Sequence, residues 1–140
     1  MANISIIYWS SSGNTEKMAA LIEEGLKEKG AAVKKLLVSE ASVQDVETAD
    51  LVILGSPSMG AEVIEEMEME PFVEEIKSLV KGKKVALFGS YGWGDGEWMR
   101  TWEDRMKGYD ADLVSEGLII NYTPEGDEAQ RCIEFGKGLL

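Results

Sequence analysis

The chain has 140 residues and a formal net charge of −12, with 26 Asp plus Glu, 14 Lys plus Arg, no His and one Cys. That length fits one domain spanning residues 1–140, and 44% hydrophobic content supports a packed core and argues against disorder. The charge repels polyphosphate and anionic lipid, so neither nucleic acid nor a membrane is expected as partner; the missing His excludes His-based triads, and one Cys excludes an internal disulfide or a Cys-rich metal site.

The opening MANISIIYWS has no basic stretch, and no apolar run approaches about 18 residues, so a cytoplasmic protein is expected. Residues 4–8 form an apolar run suited to a strand buried on both faces. A SSSGNT segment follows, then a helix over about 15–29 with Met18, Leu21, Ile22 and Leu26 at helical spacing and Gly30 as its stop. Strands are predicted at 33–38, 50–55, 83–90 and 113–120. Helices are predicted from Pro71 to about Val80, over 97–107 and over 128–139.

Five strands alternating with helices imply βαβ units, a parallel sheet, right-handed crossovers and helices on both faces. Ligands in such sheets bind beyond the carboxyl ends of the strands, near the switch in strand order. The loops after strands 1, 3 and 4 are therefore the candidates, and their composition is unusual.

The first loop is Ser10-Ser11-Ser12-Gly13-Asn14-Thr15. It offers hydroxyls, an amide and backbone N–H groups at a helix start, which suits an anion. It has no Lys or Arg, so it is not a Walker loop. The competing explanation is a Ser/Thr-rich cap. The second is Ser56-Pro57-Ser58-Met59-Gly60-Ala61-Glu62. Met59 lies among turn residues, free either to plug the sheet edge or to pack on a flat aromatic surface. The third, after Ser90, is Tyr91-Gly92-Trp93-Gly94-Asp95-Gly96-Glu97-Trp98. Trp93 between two glycines suits a stacking platform for a planar ring; the alternative is a Trp folded back onto its own loop. The pattern is not the dinucleotide fingerprint.

Trp98 and Trp102 are four apart on a helix and are expected in the core. Cys132 is expected to be an inert thiol. The acidic run Glu62, Glu65, Glu66, Glu68 and Glu70 suits a solvated face, a docking surface or a modest metal site. Asn121-Tyr122-Thr123 fits a glycosylation triplet, which means nothing without secretion.

Together, YWSSSGNTEKMA, LGSPSMGAEV and ALFGSYGWGDGEWM resemble the phosphate loop and the two isoalloxazine loops of flavodoxins, most of all the short-chain flavodoxins of anaerobic bacteria. Three motifs agree in order and spacing, and the resemblance extends to the final CIEFGK helix. It implies a five-stranded doubly wound α/β fold of strand order 2-1-3-4-5, one non-covalent FMN, and single-electron transfer between larger redox enzymes. It makes Ser10, Ser11, Ser12, Gly13, Asn14, Thr15, Pro57, Ser58, Met59, Gly60, Ala61, Glu62, Ser90, Tyr91, Gly92, Trp93, Gly94 and Gly96 the candidate FMN-binding residues. By the same resemblance, Ser10, Ser12, Asn14 and Thr15 with the loop amides hold the phosphate. Met59 and Trp93 sandwich the ring, Glu62 accepts from flavin N3–H, and the backbone of Gly92 meets the pyrimidine edge. The Gly60 carbonyl turns toward flavin N5 when that atom gains a proton. No catalytic residue and no metal ligand is implied. Relatives often carry Gly and Thr where this chain has Ser11 and Ser12, and Asp, Asn, Gly or Ser where it has Ala61. If the turn with its Gly60 carbonyl toward N5 placed Ala61 at positive φ, it would cost roughly 1–2 kcal/mol.

The protein's part in such chemistry is binding and electrostatics. An acidic chain with no cation beside the phosphate opposes the extra charge of the doubly reduced cofactor, which implies a low second potential. The same acidity would steer a monomer onto basic patches of reductases and oxidoreductases in transient encounters. Two other readings remain open. One is an NAD(P)H- or quinone-linked FMN reductase of the same architecture. The other is a response-regulator receiver, which the chain suits poorly because Ser10, Ser56 and Asn121 stand where acids and a Lys are needed.

Overall fold

The computed structural model describes residues 2–140. The first half of the chain runs β1 (Asn3–Tyr8), α1 (Asn14–Glu28), β2 (Ala32–Leu37), a 3-10 turn (Val38–Glu40), α2 (Val43–Glu47) and β3 (Leu51–Gly55). The second half runs α3 (Met69–Glu75), β4 (Lys84–Tyr91), α4 (Glu97–Gly108), β5 (Asp112–Leu113), β6 (Leu118–Asn121) and α5 (Asp127–Gly138).

All strand pairings are parallel, in the order β2-β1-β3-β4-β5, with β6 also paired to β4. The order doubles back at β1, whose neighbours are β2 and β3, so the ligand crevice expected of such sheets opens at the carboxyl end of β1. The apolar runs are continuous because each strand is covered on both sides. Alternation within a strand then sorts its side chains. Ile4, Ile6 and Tyr8 join Met18, Ile22 and Leu26 of α1 and Cys132 of α5 in one buried cluster. Ile7 joins Phe72 of α3 and Trp98, Trp102 and Met106 of α4 in the other. Trp98 and Trp102 are each 1% exposed, as their spacing implied. Burying side chains of this size contributes about 2–3 kcal/mol apiece.

Three differences from the sequence expectations have local causes. The single fifth strand is two short ones. Between them the Gly117 N–H leaves the ladder and donates to Glu103 Oε2 at 2.7 Å. Helix α3 stops at Glu75, and the chain tightens into three-residue turns, Lys77 N to Glu74 O and Leu79 N to Ile76 O. Helix α2, absent from the sequence reading, is five residues long. Its start is held by Ser42, whose N–H donates to Asp45 Oδ2 at 2.8 Å.

Candidate functional site

The β3–β4 register continues past the strand ends and carries the loops. Ser56 N–H donates to Phe88 O and Ser58 N–H to Ser90 O, at 3.1 and 3.0 Å. Trp98 Nε1 donates to the Ser56 carbonyl at 3.1 Å. Trp9 N–H donates to Gly55 O at 3.0 Å, which brings the first loop alongside the second.

Helix α1 begins at Gly13, held at φ +98°, a conformation that glycine adopts freely. No side chain of the cap residue itself closes the helix. Instead Ser10 Oγ reaches across and accepts from the N–H groups of Gly13 and Glu16, at 3.2 and 3.3 Å. Thr15 is buried, and its hydroxyl pairs with Ser90 Oγ at 3.0 Å. Asn14 Oδ1 accepts from Thr123 Oγ1 at 2.6 Å. The amides of Ser11, Ser12, Asn14 and Thr15 have no acceptor among the described residues. They gather at the positive end of a 15-residue helix, an arrangement that suits an anion. Beneath them Tyr8 Oη donates to Glu16 Oε2 at 3.2 Å. Burial first, then the Glu16 charge, pushes the phenol up to about 12, so it stays protonated.

The second loop closes on itself. Met59 and Val63 exchange N–H···O bonds of 2.8 and 3.0 Å around Gly60, Ala61 and Glu62. Gly60 lies at φ +46° and Glu62 at φ +54°, while Ala61 is outside the left-handed region. The strain considered for Ala61 belongs to the turned-over form; in this conformer Glu62 takes the left-handed backbone. Met59 is half-buried and Pro57 and Ser58 sit between strand end and turn. Glu62 Oε1 and Ser58 Oγ are buried without a hydrogen-bond partner.

In the third loop Trp93 is 58% exposed, so it is not folded back onto its own segment. Tyr91 packs on Trp98 with ring centroids 5.6 Å apart. The glycines do more than open space for a ligand. A Cβ at Gly94 would strike the Glu62 carboxylate, which joins the second and third loops, and one at Gly92 would lie 3.2 Å from the Tyr122 ring. Gly96 caps α4 at φ +95°. Next to it Asp95 binds Arg100, whose hydrogen bond and charge hold that carboxyl below its usual range.

The acidic run is not uniformly solvated. Glu65 is 3% exposed, and its carboxylate accepts the N–H groups of Met67, Glu68 and Met69 at 2.7, 2.7 and 2.8 Å. Its own N–H donates to Ser56 Oγ at 2.9 Å. Glu68 Oε1 accepts from Trp9 Nε1 at 3.1 Å, and Glu70 holds Arg105 with both oxygens. Glu65, Glu68 and Glu70 are thus tied to the scaffold, and no group of three or more potential metal ligands converges among the described residues. Cys132 is buried, which pushes its thiol up to about 11.

Fold and site together define a doubly wound protein whose crevice suits a ligand with an anion at one end and, at the other, a flat ring bearing an N–H. The unpartnered amides and the orphaned Glu62 and Ser58 oxygens fit FMN on both counts. The flavodoxin family profile matches residues 6–136. A flavodoxin of Clostridium beijerinckii is 53% identical over 97% of this chain and 98% of its own. One of Megasphaera elsdenii is 43% identical over 96% of each. Its two-electron reduced solution structure superposes with a TM-score of 0.89, covering 97% of both chains. The chain belongs to the flavodoxin family, FMN-binding electron carriers.

Proposed function

We propose that residues 1–140 act as one unit, a low-potential, one-electron carrier in which all three loops hold FMN. The observation that carries this reading is the pairing of unsatisfied groups, free amides at the start of α1 and an orphaned carboxylate oxygen beside an exposed Trp93. The amides of Ser11, Ser12, Asn14 and Thr15 surround the phosphate, with Gly13 making the turn that gathers them. Ser10 keeps an O–H to donate, because its lone pairs already hold two amides. The Thr15–Ser90 pair also retains one O–H, since only one of the two hydroxyls donates to the other. Met59 and Trp93 take the two faces of the ring, and Glu62 accepts its N3–H. Backbone from Tyr91 to Gly94, with Gly96 shaping the turn, meets the pyrimidine edge. Pro57, Ser58, Gly60 and Ala61 form the turn beside the reactive nitrogen, where a Gly60 carbonyl is free to reorient.

Bound FMN supplies the redox chemistry, and the chain sets its potentials. An acid ~10 Å from the ring disfavours a second negative charge by about 0.8 kcal/mol at an effective dielectric of ~40, and Glu62, accepting N3–H at about half that distance, by roughly twice as much. The carrier works as a cytoplasmic monomer that meets basic-patched reductases and oxidoreductases transiently, and it has no turnover of its own. No helix among the described residues is long and apolar enough to cross a membrane.

Stepwise anaerobic reduction, followed by visible absorption and potentiometry, tests the reading. The expected result is one FMN per chain and two well-separated one-electron steps, the second at low potential. A single two-electron bleaching, or direct oxidation of NAD(P)H, would assign the chain to the reductase class. Failure to take up FMN would sink both.

A further inference from the structure

The segment after β6 is joined to two of the three loops. Asn121 Nδ2 and Tyr122 N–H both donate to the Tyr91 carbonyl, at 3.1 and 2.8 Å. Tyr122 then lies at φ +60°, a strained conformation for an aromatic residue. The next residue, Thr123, is half-buried and reaches the first residue of α1 across 109 positions of sequence.

Thr123 Oγ1 donates to Asn14 Oδ1 at 2.6 Å. A carboxamide has an acceptor on one side and two donors on the other. With the hydroxyl donating, the bond turns the Asn14 amide oxygen toward Thr123. It occupies the oxygen and leaves Nδ2, which has no partner among the described residues, on the opposite side. That donor belongs to the same helix end as the four unpartnered amides. Turned over, the group would present a lone pair there and repel an anion. We propose that Thr123 is a positioning residue for phosphate, which it never touches, by holding the Asn14 amide with its N–H₂ toward the anion. This rests on the assignment of the α1 start as the FMN phosphate site.

The test compares FMN with riboflavin, which lacks the phosphate, on native protein freed of cofactor and on T123V, T123S, N14A and the T123V/N14A pair. The expected loss for T123V is about tenfold in FMN affinity, one hydrogen bond to a charged group partly forfeited. Riboflavin affinity stays unchanged, T123S restores FMN binding, and T123V adds nothing in the N14A background. In parallel, the Asn14 side-chain amide resonance should move on adding inorganic phosphate to native protein and not to T123V. Equal losses for FMN and riboflavin, or no loss for either, would overturn the proposal. N14A binding FMN as tightly as native protein would overturn the phosphate assignment itself. N14A weakened with T123V unaffected would overturn the role of Thr123 alone. If T123V folds poorly, T123S against Thr123→Ala gives the same contrast without the branched methyl pair.

Discussion

Around the start of α1, three polar side chains are already engaged. Ser10 holds two amides, Thr15 holds Ser90, and Asn14 holds Thr123. Around the turn of the second loop, Ser58 Oγ and Glu62 Oε1 are buried with nothing to bind. The first region therefore has these side chains tied to one another and to the loop, while unpartnered backbone N–H groups and Asn14 Nδ2 supply the donors. The second has its backbone closed by the Met59–Val63 pair and its side chains waiting. A buried unpaired acceptor costs about 1–3 kcal/mol, so the ring end stores energy that a ligand N–H would release. At the phosphate end the unpartnered groups are donors instead, four backbone N–H groups that an anion would satisfy. Binding should therefore satisfy backbone donors at one end and side-chain acceptors at the other.

The largest expected effect separates the two ends by damaging only one. A Cβ at Gly89 would collide with the Ser56 carbonyl, the acceptor of Trp98 Nε1 and the start of the second loop. Because the obstacle is backbone, it has little freedom to yield. Gly89→Ala should lower unfolding stability by about 3 kcal/mol, read from denaturant midpoints. In the molecules that remain folded, riboflavin affinity should fall while inorganic phosphate still binds. Loss of both would show that the two ends are one cooperative unit.

The asymmetry also governs what the amino-acid order reveals. The alternation of strands and helices, the three loops and the buried pair Trp98 and Trp102 follow from periodicity and from turn residues at strand ends, which are local signals, whereas the strand order comes only with the family resemblance. The phosphate end is legible for the same reason, since SSSGNT at a helix start is a contiguous pattern. Contacts between distant segments leave no such trace. Thr123 on Asn14, and Gly94 making room for Glu62, become visible only in three dimensions. Glu65 reads as one more solvated acid, because nothing in its neighbours announces three converging amides. The strain at Glu62 rather than Ala61 is equally hidden, since propensity places positive φ at Gly60 and is silent on the next two residues. Helix α2 is too short to show a period, and the break in the fifth strand depends on Glu103 of α4.

The next effect falls on the ring end alone. Trp93→Ala should weaken FMN by about 1–3 kcal/mol, the usual worth of an aromatic stacking partner. Stability of the apoprotein should hardly move, because the side chain is largely exposed. A large drop in apoprotein stability would instead assign Trp93 to the scaffold. Gly60→Ala should cost roughly 1–2 kcal/mol in the apoprotein, since φ +46° disfavours a Cβ although open space surrounds it. Ala61→Gly should show no gain from relieved strain, because Ala61 carries none in this conformer.

The last effect, a shift of potential, sharpens the contrast most. Glu62→Gln keeps an acceptor for a ligand N–H and removes the charge. If the ring end acts on the cofactor mainly through electrostatics, the second one-electron potential should rise by about 70 mV, the equivalent of ~1.7 kcal/mol for one charge ~5 Å away at an effective dielectric of ~40. FMN affinity in the oxidised state should change little, because the hydrogen bond survives. The same substitution at the other end of the chemistry, Glu16→Gln, removes a charge paired with Tyr8. It should lower the Tyr8 phenol toward its ordinary range, read by ultraviolet titration, since Glu16 is one cause of its elevation after burial. A potential that moves for Glu62 and stays for Glu16 would place the tuning charge at the ring. Equal movement for both would mean that net charge, rather than position, sets the second potential.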